Sequence, residues 1–90
     1  MNKDRRKNID SLAEQVDRLK ADLENLKDEV ESLRDEEQEY LDNMPESLQE
    51  SDRGLNASEA ASSLDQAVDS LDSAVGEMTE ALDNMKAASA

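Results

Sequence analysis

The stretch that decides the fold is Ile9-Asp10-Ser11-Leu12-Ala13-Glu14-Gln15-Val16-Asp17-Arg18-Leu19-Lys20-Ala21-Asp22-Leu23, which continues through Leu26, Val30 and Leu33 to Glu37, Tyr40 and Met44. Its apolar residues recur at alternating spacings of three and four, the period of a helix that buries one narrow stripe. With Ile9 at heptad position a, Ile9, Val16, Leu23 and Val30 occupy a, and Leu12, Leu19, Leu26 and Leu33 occupy d. A mid-seam residue such as Leu26 is therefore expected in a core. Position e carries Lys20, Lys27 and Arg34, whereas g carries Asp22, Glu29 and Glu36, so the charges flanking the stripe are sorted by sign.

A second repeat follows Asn56-Ala57-Ser58-Glu59, where Asn56 is placed to cap a helix and Glu59 to reach back to it. In this repeat Leu64, Leu71, Met78 and Met85 stand at d. Ala61, Val68, Val75 and Leu82 stand at a, and Ala60, Ala67, Ala74 and Ala81 at g. The apolar face is wider than the first one, and alanine at every g permits close approach of a further backbone. Between the repeats, Pro45 disfavours a helical Met44 and suits the start of a new helix. Gly54-Leu55 reads as a helix stop.

The expected architecture is all-α. A basic start at residues 1–8 leads into a heptad helix over 9–44, a short connecting helix or loop over 45–55, and a second heptad helix over 56–87, all in a single domain. Two arrangements fit the seam. In a parallel dimer of the first helix, Asp22 pairs with Lys27 and Glu29 with Arg34 of the partner. In an antiparallel hairpin, Val30 lies opposite Leu71, Leu33 opposite Val68, Arg34 near Asp65, and Lys27 near Asp72. The hairpin is the expected fold, dimerising into a helical bundle, because a chain of 90 residues buries little surface by itself. The oligomer and core seam is then Ile9, Leu12, Val16, Leu19, Leu23, Leu26, Val30, Leu33, Leu64, Val68, Leu71, Val75, Met78, Leu82 and Met85.

Composition narrows function. A net charge of −14 repels nucleic acid and anionic lipid, so an electrostatic partner is expected to be a protein with a basic surface. Without Cys or His there is no thiol chemistry and no usual transition-metal site, and Gly54 and Gly76 alone cannot build a phosphate-cradling loop. General acid–base catalysis needs a pocket that shifts pKa values, which a helical rod does not offer. The expectation is therefore a non-enzymatic protein with no catalytic, cofactor or metal site. No apolar run approaches the ~18 residues of a membrane span and no leader precedes the helix, so a cytoplasmic setting is expected. The basic residues Lys3, Arg5, Arg6 and Lys7 oppose the helix dipole and suggest a frayed start.

Residues 35–52 hold eight carboxylates and no base, more acid than heptad packing requires. Asp35, Glu36, Glu39, Asp42, Glu46 and Glu50 are the candidate charged contacts to a partner; Tyr40, Met44 and Leu48 are candidate apolar anchors beside them, although packing over the bundle end is the commoner duty of such residues. Asp42, Asn43 and Glu46 match no calcium-loop spacing and read as solvated surface. A line of carboxylates along a rod can also imitate nucleic-acid phosphates and occupy a basic cleft.

The stretch Glu36-Glu37-Gln38-Glu39-Tyr40-Leu41-Asp42-Asn43-Met44-Pro45-Glu46-Ser47-Leu48-Gln49 resembles a family of small acidic coiled-coil proteins from phages and mobile elements of Gram-positive bacteria. The resemblance covers most of the chain, with its specific part at Asn43 to Gln49. That family has no established activity. The resemblance implies a bacterial cytoplasmic setting and a role between phage and host, such as inhibition of a basic defence nuclease, and it transfers no site residue. The alternative is a structural coiled coil for assembly.

Overall fold

A computed structural model describes residues 2–90; Met1, the first residue of the expected basic start, lies outside the described residues. Helix α1 spans Lys3–Asp42, α2 spans Glu46–Gln49 and α3 spans Asp52–Ser89, and there is no strand among the described residues. The chain divides into two units, each built from parts of both long helices. Unit 1 holds residues 1–25 and 71–90, and unit 2 holds residues 26–70.

Helix α1 begins earlier than its heptads because Asn2 caps it. The Asn2 side-chain oxygen accepts from the Arg5 amide at 2.8 Å, and its carbonyl accepts from the Arg6 amide at 3.2 Å. A cap of this kind typically stabilises a helix end by about 1 kcal/mol. The basic residues thus sit within the helix, not in a frayed arm.

In unit 2 the chain folds back on itself as an antiparallel hairpin. The Arg34 Nη1 donates to the Asp65 carboxylate at 2.8 Å, the pairing expected of the hairpin register. Between these residues, α1 ends where the Met44 amide turns back to the Leu41 carbonyl at 3.1 Å. Pro45 then caps α2, its carbonyl accepting from the Leu48 amide at 2.8 Å and from Gln49 at 3.2 Å. The connecting helix is a single turn, shorter than the 45–55 segment expected.

Helix α3 starts at Asp52, four residues before the Asn56 cap read from the sequence. Ser51 supplies the cap: its carbonyl accepts from the Leu55 amide at 2.9 Å and its hydroxyl from the Gly54 amide at 3.4 Å. Gly54 therefore does not stop a helix. Its φ is not positive and it is buried in the first turn of α3. A Cβ there would collide with the backbone carbonyls of Leu48 and Gln49, so the glycine is required by close approach of the α2 end.

The seam divides in a way the heptads do not announce. On α3, both a and d residues turn inward, with Ala61, Val68 and Leu82 buried and Leu64, Leu71, Val75, Met78 and Met85 partly covered. On α1 only the a residues Ile9, Val16, Leu23 and Val30 are covered. Beside them the covered residues are at e: Ala13, Lys20, Lys27, Arg34 and Leu41. The d residues are exposed: Leu12 53%, Leu19 59%, Leu26 53%, Leu33 54% and Tyr40 47%. Leu26 is thus no core residue of the hairpin. The cause is the aliphatic length of Lys and Arg, whose stems lie along an apolar neighbour while their charges reach water. With such side chains at e, α1 sets its a and e residues toward α3 and turns d outward.

Candidate protein-interaction site

Unit 2 presents two different sides. On one, Arg34, Asp35 and Gln38 of α1 and Ser58, Ala61, Ser62 and Asp65 of α3 line a shallow polar concavity. Arg34 organises it, donating to Asp65 at 2.8 Å and to Asp35 at 3.0 and 3.2 Å, with Glu31 at 3.7 Å. Hydrogen bonding to Asp65, then to Asp35, raises the already high pKa of Arg34. The guanidinium stays charged at any working pH, and the network is an exposed clasp that fixes register more than it adds stability.

On the other side, Glu37 and Tyr40 of α1 and Arg53, Asn56, Ala57 and Ala60 of α3 line a second groove. Because Leu33 stands one heptad before Tyr40 and Ala67 one heptad after Ala60, this side continues as a leucine ridge on α1 beside an alanine trough on α3.

The acidic residues expected to meet a partner gather around the turn of the hairpin. Glu36, Glu39, Glu46 and Glu50 are exposed. Asp42 is exposed and accepts from the Gln38 side chain at 2.9 Å, while Asp35 is held by Arg34. Tyr40 and Leu48 stand at 47% and 45% exposure, so both offer apolar surface beside the carboxylates. Met44 does not. It is buried at 9% exposure, so of the two roles read for it, anchoring a partner and packing over the bundle end, it serves packing.

Gln49 is the residue that sequence reading passed over. Its side-chain amide donates to the carbonyls of Met44 at 3.2 Å and Leu41 at 3.5 Å, satisfying acceptors that the end of α1 leaves without helical partners. A lone Gln after a one-turn helix carries no spacing signal that would have marked it. Gln49, Met44 and Gly54 thus tie the turn to the ends of α1 and α3, and the acidic residues are displayed on it.

Among the described residues no group of three or more carboxylates is gathered closely enough to hold a metal ion, and no helix is long and apolar enough to cross a membrane. No protein-family model, curated protein or solved structure matches the chain.

Proposed function

We propose that the chain is a non-enzymatic helical module that binds a protein with a basic surface through the acidic turn of unit 2. The observation that supports this reading is the display of Glu36, Glu39, Asp42, Glu46 and Glu50 toward solvent, with exposed Tyr40 and Leu48 among them. Charges of one sign raise the encounter rate with an oppositely charged surface, and apolar side chains between them supply area that dehydrates on contact. The specific form we favour is a phage-type inhibitor of a basic host protein such as a defence nuclease, in which the carboxylates take the place of nucleic-acid phosphates. The resemblance of Asn43 to Gln49 to proteins of phages and mobile elements, and the cytoplasmic setting it implies, belong to the same proposal.

The test is capture from a bacterial lysate on immobilised wild-type chain, beside a variant carrying Asp42→Asn, Glu46→Gln and Glu50→Gln. The wild type should retain a basic protein at low salt and release it as ionic strength passes about 0.15 M, where the screening length falls to about 8 Å. The triple variant, equally helical by circular dichroism, should retain at least about tenfold less, a loss of about 1.4 kcal/mol. Equal retention by both at low salt removes the acidic turn from the interaction.

A second reading, a structural coiled coil whose principal partner is itself, is favoured by one observation: the row of exposed d residues on α1.

A further inference from the structure

Leucines seldom repeat every seven residues along a helix and stay in water at every repeat. In unit 2, Leu26, Leu33 and Tyr40 are about half exposed, on the side where Tyr40 shares a groove with Ala60. The two edges of that side differ in charge. Beyond the ridge, α1 places Glu29 and Glu36 at g, both exposed. Beyond the trough, α3 places Arg53, Ala60 and Ala67 at g, followed by Asn56, Ser63 and Ser70 at c. The acids of this part of α3, Asp52, Glu59, Asp65 and Asp69, all fall at e, f or b, away from the trough.

We propose that this side of unit 2 is the docking face for a second copy of the chain, related by a two-fold axis running along the helices. The α1 ridge of each copy then lies in the α3 trough of the other. Shape and charge both select this arrangement. Leucines over alanines interdigitate, whereas α1 over α1 sets ridge against ridge and leaves trough facing trough across a void. Charge acts in the same direction: α1 over α1 brings the Glu29 and Glu36 edges together, while α1 over α3 lays that edge against neutral Ser63 and Ser70. A self-complementary face of this kind closes at two copies. The sorted g and e charges gain separate uses, since the e cations, Arg34 among them, work within the hairpin and the g anions work between copies. Unit 1 repeats the pattern on its own helices, with Leu12 and Leu19 exposed on α1 and Ala74 and Ala81 at g of α3. The docking face shares Glu36 and Tyr40 with the acidic turn but not Asp42, Glu46 or Glu50, so the dimer is tested independently of what those three carboxylates bind.

Sedimentation equilibrium of the full chain from about 1 to 100 µM tests the proposal, beside a Leu26→Gln, Leu33→Gln variant that leaves the buried residues untouched. The wild type should be a dimer. The double variant should keep its helical circular dichroism at high concentration while its dimer dissociation constant rises at least about a hundredfold, or about 2.7 kcal/mol. Charge exchange then tests the pairing of α1 with α3. Ser63→Glu should raise the dissociation constant by setting an acid against Glu36 of the other copy, and adding Glu36→Lys should restore part of the loss. A wild type that stays monomeric to 100 µM overturns the proposal, as does a double variant that dimerises like wild type. A Glu36→Lys chain that dimerises more tightly than wild type overturns the α1-over-α3 arrangement in favour of α1 over α1.

Discussion

Replacing Leu82 with Ala is expected to destabilise the fold by about 2–5 kcal/mol, because the side chain is 4% exposed and its removal leaves a cavity as well as losing apolar burial. Leu82 belongs to unit 1, where it lines a surface with Ala13, the buried residue of α1. Ala13 is too small to move into the space. A thermal melt followed by circular dichroism should show a midpoint more than about 8 °C below wild type, since 1 kcal/mol corresponds to about 4–8 °C in a domain of this size. Leu26→Ala, the same change at a residue 53% exposed, should cost far less in dilute solution. A melt in which both variants fall equally would contradict the division of α1 into a covered a row and an open d row.

The second large effect is at Gly54, and it is best read against Gly76. Both lie inside α3, where exchanging glycine for alanine ordinarily stabilises a helix by about 0.5–1 kcal/mol. At Gly76 nothing lies within 4 Å of an added Cβ, so Gly76→Ala should raise stability by that amount. At Gly54 the added carbon meets two backbone carbonyls that no rotamer can move aside, and forcing the chain apart costs about 1–3 kcal/mol. The two substitutions should therefore shift the midpoint of chemical unfolding in opposite directions. A stabilising Gly54→Ala would mean that α2 does not approach α3 as described.

The heptads of α1 and α3 were legible from periodicity; the charges fitted a parallel dimer as well as the hairpin, and of the two it is the hairpin's expected Arg34–Asp65 pair that is present, at 2.8 Å. The rotation of α1 about its axis was not legible. A stripe of a and d residues is equally consistent with burying both rows or with burying a beside e, and in the structure the partly covered rows are a and e, with Arg34 at e reaching Asp65 of α3. The start of α3 was missed for a different reason. Ser51 followed by Asp52 and Asn56 followed by Glu59 are both helix-start signals, and the outer one prevails because Ser51 also takes up the chain leaving α2. Gly54 then looked like a stop, although its role is contact with a backbone that no local pattern reveals. The acidic display around Glu46 and Glu50 followed directly from the charge run, while the burial of Met44 depends on how Gln49 ties the turn to the end of α1.

The hairpin of unit 2 carries every other assignment, from the acidic turn to the ridge and trough, and the chain has no cysteine to complicate a direct measurement of it. Gln38→Cys and Ser62→Cys place thiols on the shared polar concavity without disturbing Arg34 or Asp65. Treated with a short bismaleimide at nanomolar concentration, the double variant should cross-link within single chains and migrate as an unlinked monomer would, with one linker retained by mass. Cross-linking that occurs only between chains, and vanishes on dilution, would contradict the hairpin and restore the extended parallel dimer.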